Sequence, residues 1–527
     1  MKLKPPPPDA LLRIAPEDYI STQDLTGNFL IFGITGSGKT SGSGKALRAA
    51  LMRAGASVGQ PSGGIVLCAK PDEIELWCHD ARQNGREQSL IVFSPESGHC
   101  FNPIDVELAR RGSEAIGAIT DYIMCIADAV NDGGGGTEEK FWADSKKLLL
   151  RKTLPILYSA TGTVRLEDVT RFIQTAPTDA EQYKDDKWKE HSFWFRTMYA
   201  ARVKPIVPIG DDEFNHIGHY WRDEFARLDN KTRSNMCISL TVALDRFSTG
   251  PLKRCFTGKT TFTMESTWHG AIILVAFPVL TMNEDGVIAN KLMKLAWQRC
   301  VLSRNSLPEQ HRRALTFCYA DECQLFLLPQ DAEFLSVSRQ SNAASVFLTQ
   351  SYASLVNMVG GKRPHEAAEQ FCGNCRSRIF HTLDQKTAQW AADTCGKGVQ
   401  LRRNWSEGET VGFNRGMSMG ENESWGQNSS VSMSKDAQGR ESSSVSFGSS
   451  SGGGTNTGVN RGRNEGYSST SGQSEQIDYD LQPSFFARHL KTGGPENGFE
   501  VSGIWFQAGR TFRATGTNYL YTRFMQK

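Results

Sequence analysis

Apolar residues in this chain gather in short continuous runs, separated by glycine, proline and charged positions and by stretches with helical spacing. The run NFLIF at 28–32 ends at a glycine loop, and a helical stretch follows it through Arg53. Runs this short, rich in strand formers and bounded by turn residues, predict strands. Two more occur at 65–68 and 90–93, each followed by a change of pattern. From about 104 to 246 the strand pattern fades into helical spacing, with helices predicted over 106–129, 141–158 and 232–247. Strand runs resume at 271–277, 314–320, 344–348, 378–382, 499–506 and 512–524, with a helix predicted over 287–302. Strands alternating with helices imply a mainly parallel sheet, so the expected class is α/β with an all-α insertion.

The pattern divides the chain. Residues 1–25 open with MKLKPPPP, where successive prolines lack donors and impose extension, and predict a flexible arm. One α/β domain is expected from 26–105, 263–403 and 477–527, with the helical insertion at 106–262. Residues 404–476 are dominated by Gly, Ser and Asn and offer too little apolar area to offset the entropy of ordering. That segment is expected to be disordered, or to pair as an extended β arm through alternating stretches such as VSMS and VSFG.

Composition narrows the classes. The chain has 527 residues, enough for a large core in two or three lobes. Lys and Arg number 59 against 57 Asp and Glu, and a formal charge of +2 gives no bulk attraction to nucleic acid or membrane. Contact with nucleic acid must come from a local patch. The 12 cysteines form no regular framework, and no secretory pattern opens the sequence, which points to a reducing cytosol. The longest strongly apolar run, at 270–280, is well short of the roughly 20 residues of a membrane-crossing helix.

The most specific chemistry lies at GITGSGKT, residues 33–40, which fits G-x-x-x-x-G-K-[ST] between a predicted strand and a predicted helix. Gly33, Gly36 and Gly38 let the backbone turn so that amide hydrogens face phosphate oxygens, and the helix N-terminus adds its positive end. The nucleotide-binding candidates are Gly33, Thr35, Gly36, Ser37, Gly38, Lys39, Thr40 and Ser41. Lys39 is expected on the β and γ phosphates and Thr40 on magnesium, so the implied cofactors are ATP and Mg2+. A carboxylate for the metal and a group to orient water are also required. LTFCYADECQ supplies both, because its apolar run would deliver Asp321 and Glu322 to the carboxyl edge of the sheet. Asp321 is assigned to magnesium and Glu322 to the attacking water. Gln350 and Arg339 are further polar candidates.

With these strings the chain resembles the type IV coupling proteins of conjugative DNA transfer and secretion (TraG/TraD-like), relatives of the FtsK and HerA ring motors. The resemblance rests on GITGSGKT, CFNPID at 100–105, YADECQ, SRQSNAASVFLTQSYASL at 338–355 and LDQKTAQWAADTCG at 383–396. It implies a RecA-like P-loop nucleotide-binding domain and a homo-hexameric ring that hydrolyses ATP between subunits and translocates DNA, single- or double-stranded. It implies Arg339 as a finger reaching the neighbouring subunit, Gln350 as γ-phosphate sensor and Lys362 as a second basic contact. The implied partners are a relaxase, relaxosome or other protein cargo selected by the helical insertion, and a type IV secretion channel or membrane-anchored partner. The implied location is cytoplasmic, peripheral to the inner membrane through that partner. The chain departs from the family in lacking predicted membrane helices, in the 404–476 insertion, and in carrying CAKPDE where Asp-x-Lys-Gly is usual, which leaves Lys70 and Asp72 without assigned roles.

Two other readings compete: a soluble DNA translocase acting without a channel, and a nucleotide-gated adaptor for protein cargo. CGNC at 372–375 has the spacing of half a zinc site but no second pair to complete it. Trp142, Trp188, Trp194 and Trp221 are expected to pack in the core of the helical insertion.

Overall fold

Runs such as FLIF, IILV and TFCYA are apolar at every position, so a strand built from them needs cover on both faces. The computed structural model describes residues 7, 9–130, 137–359, 363–417, 424–435, 441–452 and 459–526. Its strands are β1 (Ala10–Arg13), β2 (Tyr19–Ser21), β3 (Phe29–Phe32), β4 (Gly63–Leu67), β5 (Leu90–Phe93), β6 (Ile272–Val275), β7 (Thr316–Ala320) and β8 (Ala343–Thr349). They continue with β9 (Ser377–Phe380), β10 (Lys397–Met417), β11 (Ser424–Lys435), β12 (Glu441–Gly452), β13 (Val459–Tyr479), β14 (Glu500–Gln507) and β15 (Tyr519–Met525).

The described residues build a nine-stranded sheet in the order β15-β14-β9-β3-β8-β7-β4-β6-β5. Pairing is parallel from β9 through β5, and β14 and β15 add antiparallel at the other edge. Central strands are buried throughout, whereas the edge strand β15 alternates buried and open positions, as a half-covered edge should. Gly64 in β4 marks a close approach, since a Cβ there would strike the Phe317 carbonyl of β7. The α/β class with a mainly parallel sheet is therefore the observed one.

Between β5 and β6 the elements among the described residues, from Pro103 to His269, are all helices. Its core is aromatic: Trp221 lies 4.7 Å from Phe225 and 5.4 Å from Phe172, ring centre to ring centre. Trp194 and Trp221 are buried, while Trp142 and Trp188 are only half-buried, so two of the four tryptophans complete the core. The helix expected over 106–129 is two helices, Pro103–Arg111 and Ile116–Val130. They part at Gly112, whose φ of 57° ends the first helix in a backbone region open to glycine. The helix expected from 287 begins earlier, at Val279, and bends at Asn283, which has φ 48°.

Residues 10–25 correct the expectation of a flexible arm over 1–25; residues 1–6 and 8 lie outside the described residues. β1 and β2 pair antiparallel, Ile20 and Leu25 are buried, and Leu11, Leu12 and Ile14 pack against the sheet's core. The anchor is Asp18, buried, whose carboxylate accepts from the amides of Arg513 and Ala514 at 3.1 and 3.0 Å and faces Arg510 at 3.7 Å. The apolar ALLRIA stretch at 10–15 has a surface to bury.

Contacts divide the chain into two compact units, residues 1–391 with 483–527, and residues 392–482. The helical segment belongs to the same unit as the sheet. Within the second unit β10 pairs antiparallel with β13 in unbroken register from Lys397↔Tyr479 to Met417↔Val459, and β11 pairs with β12. Of the two expectations for 404–476, the paired β arm is the one observed over its described residues.

Replacing Asp18 with Ala should lower stability by about 1–3 kcal/mol, because buried amides lose their acceptor. A chemical-denaturation midpoint equal to that of the parent would show that the hairpin is not anchored there.

Candidate nucleotide-binding site

β3 ends at Phe32, and the loop from Gly33 to Lys39 is pinned at its base: the amides of Gly33 and Ile34 donate to the carbonyls of Thr349 and Thr382 at 3.2 and 2.9 Å. Gly36 and Gly38 have φ of 78° and 83°, and a Cβ on Gly38 would come within 2.5 Å of the Val501 side chain. Only glycine fits both the dihedral and the space. The helix that follows opens with a wide π turn over Thr40–Gly44 before regular helix from Lys45 to Arg53.

The loop faces the carboxyl end of β7 across β8. Lys39 Nζ lies 3.2 Å from Glu322 Oε1 and 4.0 Å from Asp321 Oδ1. Thr40 Oγ1 donates to Asp321 Oδ2 at 2.6 Å. All three ionic groups are buried: Lys39 is 6% exposed, Asp321 2% and Glu322 5%. The two segments that carry the sequence motifs thus share one cleft, a cavity of about 770 Å3 lined by the loop, Lys70, Glu322 and Gln350 among others. That volume suits a nucleotide-sized ligand.

Glu322 has φ 49° and ψ 45°, a left-handed backbone that costs about 1–3 kcal/mol in a residue with a side chain. It is held there by its neighbours. Gln350 Nε2 donates to both carboxylate oxygens at 3.2 Å, Gln324 Nε2 donates to Oε2 at 2.9 Å, and Lys70 Nζ stands 3.6 Å from Oε1. Burial pushes this carboxyl upward, but the Lys39 charge and the hydrogen bonds from Gln324, Gln350 and Lys39 outweigh it and hold it below the usual range. Glu322 is therefore ionised at neutral pH.

Four other groups shape the site and carry no sequence motif of their own. Glu73, buried where Asp72 is exposed, is pushed up to about 8 by burial and by the Asp321 charge, against the Ala69 amide that donates to it. Arg48 bonds Asp80 at 2.8 Å and the carbonyl of Thr40 at 3.2 Å, fixing the first turn of the loop's helix. Gln526 donates to the Ser41 hydroxyl at 2.8 Å. His381, fully buried, has Nδ1 2.9 Å from the Ser502 carbonyl and Nε2 2.7 Å from Ser43 Oγ. A carbonyl only accepts, so Nδ1 carries the proton and Nε2 accepts from Ser43. Burial, aided by the Lys39 charge and opposed by the Ser502 carbonyl, lowers this imidazole to about 4.

The donor set fits a triphosphate with a hard cation. Ser37 Oγ is buried and has no hydrogen-bond partner, residues of the glycine loop line the cavity, and the Thr40 hydroxyl with the Asp321 carboxylate forms an oxygen pair of the kind magnesium takes. Of the remaining candidates, Arg339 is exposed on the short turn Ser338–Ser341 and does not line the cavity. Lys362 lies outside the described residues. Cys372 and Cys375 are buried free thiols.

The plasmid coupling protein TrwB in complex with a non-hydrolysable ATP analogue superposes with a TM-score of 0.53 over 98% of this chain and 89% of that one, at 14% identity. The chain has the TrwB fold. TrwB with a non-hydrolysable GTP analogue gives a TM-score of 0.54 over 98% and 89%, and TrwB with ADP and Mg2+ gives 0.52 over 98% and 88%, each at 14% identity. A family model described as the TraM recognition site of TraD and TraG matches residues 316–446. No curated protein matches the chain by sequence. The resemblance to conjugative coupling proteins is thereby supported in fold over nearly the whole chain and in sequence from β7 into the β arm. No helix among the described residues is long and apolar enough to cross a membrane.

His381 gives a pH signature. Its native value near 4 lies below the unfolded value near 6.5, so its contribution is complete above pH 6.5 and is lost as pH falls toward 4. The difference corresponds to roughly 3 kcal/mol. A His381→Asn variant should lose less stability than the parent between pH 6.5 and 4 in denaturation titrations. Parallel curves would mean that the imidazole is not held neutral.

Proposed function

We propose that this chain is an ATP-hydrolysing motor of the coupling-protein type, acting as a homo-hexameric ring that translocates DNA toward a secretion channel. The observation that carries the reading is the shared cleft of Lys39 and Thr40 with Asp321 and Glu322 at the carboxyl edge of a parallel sheet, where ligands of open α/β sheets bind. The nucleotide complexes of TrwB, a protein of the same fold, support ATP with Mg2+ as ligand.

In this reading Gly33, Thr35, Gly36, Ser37, Gly38, Thr40 and Ser41 surround the phosphates, with the Ser37 hydroxyl gaining the partner it lacks. Lys39 exchanges Glu322 for phosphate oxygens. Thr40 and Asp321 hold magnesium, which when bound offsets the charge that builds on the transferring phosphoryl group. Glu322, ionised and released by Lys39, accepts a hydrogen bond from the attacking water and orients it. Gln350, already on Glu322, senses the terminal phosphate at the same point. Arg339 is exposed and away from its own chain's cavity, which supports a role on the neighbouring subunit's nucleotide.

The segment 106–262 serves in this reading as the cargo-selecting insertion on a motor formed by 26–105, 263–403 and 477–527. The match of residues 316–446 to a TraM recognition region supports a relaxosome protein as a partner. Residence in the cytoplasm at the inner membrane, through that partner or the channel, follows from the same reading.

Lys39→Ala should abolish ATP turnover. Glu322→Gln should keep nucleotide binding and lower kcat by on the order of 100- to 10,000-fold, trapping the triphosphate. Undiminished turnover in the glutamine variant would assign the water to another group. DNA affinity should fall with salt at a logarithmic slope of about 0.9 per phosphate contacted on duplex and about 0.7 on single strands. Salt-independent binding would contradict a motor that tracks the phosphate backbone.

A further inference from the structure

Among the described residues Glu322 faces two ammonium groups, and only one of them belongs to the phosphate loop. Lys39 lies 3.2 Å from Glu322 Oε1 and Lys70 lies 3.6 Å from the same oxygen. The two lysines differ in freedom: the Lys39 side chain is 7% exposed, that of Lys70 36%. Topology explains the second contact. β4 and β7 are parallel neighbours with Leu67 opposite Ala320, so the residues just past their carboxyl ends, Lys70 and Glu322, emerge side by side.

Nucleotide binding makes the pair consequential. On the reading above, Lys39 cannot serve a triphosphate and remain on Glu322, so its arrival on phosphate removes one of the carboxylate's two cations. Glu322 is 5% exposed and adjoins Asp321, and a buried carboxylate stripped of its counter-charge is strongly disfavoured. Gln324 and Gln350 supply hydrogen bonds but no charge. Lys70 lines the same cavity and has the room to close the remaining gap.

We propose that Lys70 is a positioning residue for hydrolysis, taking over as the counter-ion of Glu322 when Lys39 moves to the phosphates. Lys70 acts through Glu322 and is not itself a phosphate ligand. This rests on the proposed nucleotide site. It gives CAKPDE a function: the lysine of that string is kept at the strand end to support the water-orienting carboxylate.

The test uses the full-length protein with ATP and magnesium, measuring affinity with a fluorescent ATP analogue and kcat by steady-state and single-turnover hydrolysis. Lys70→Met should lower kcat by roughly 10- to 100-fold, the loss typical of removing an outer-shell partner. Nucleotide affinity should stay within about threefold of the parent, and Lys70→Arg should recover most of the rate. In a Glu322→Gln background, Lys70→Met should cost nothing further, since both changes disable the same group. A parental kcat in Lys70→Met overturns the proposal. So does a parallel loss of affinity, which would make Lys70 a phosphate ligand, and so does full additivity with Glu322→Gln. Failure of the underlying site is recognised separately: Lys39→Ala would then still bind and turn over ATP, whatever the Lys70 variants do.

Discussion

A single ammonium group, Lys39, joins two segments almost three hundred residues apart in sequence. It sits with Asp321 and Glu322 in an enclosure that leaves each of them almost no solvent. Charges buried to that degree are tolerated only when paired and hydrogen-bonded, and removing one partner costs about 3–5 kcal/mol. The strand order β3-β8-β7 satisfies this demand, since it places the glycine loop after β3 and the acidic pair after β7 on one rim with a single strand between them. Thr40 on Asp321, Gln350 and Gln324 on Glu322 and Lys70 beyond them extend the same network.

The network is poised for exchange. Lys39 is already bonded to Glu322 and Thr40 to Asp321, so in the proposed reading nucleotide binding displaces contacts as well as making them. Lys39 pairs with the carboxylates and so offsets their burial, and in the proposed reading that pair is what phosphate competes for. The left-handed backbone at Glu322 belongs to this economy of contacts: strain is retained where four side chains hold the carboxylate in one place.

Much of this was legible in the sequence because continuous apolar runs and glycine spacing are local properties. The central strands followed from runs such as FLIF and TFCYA, and the strand-loop-helix unit from the glycines at 33–38 and the strand before them. What escaped was set by contacts between distant segments. Asp18 anchors the N-terminal hairpin on amides near the other end of the chain, so the prolines alone suggested a loose arm. His381 and Ser43 meet 338 positions apart, and neither lies in a pattern that marks it. In CAKPDE the inward acid is Glu73, not Asp72, because the helix starting at Asp72 turns its second residue toward the core. The β arm was legible only as one of two outcomes, since serine- and glycine-rich alternation specifies pairing weakly.

An experimental structure of the protein with magnesium and a non-hydrolysable ATP analogue would show directly whether Lys39 leaves Glu322 for phosphate. The expected result is Lys39 Nζ withdrawn from Glu322 and bonded to β and γ phosphate oxygens, with Thr40 and Asp321 on the metal and a water on Glu322. A nucleotide bound elsewhere, with Lys39 still paired to Glu322, would contradict it.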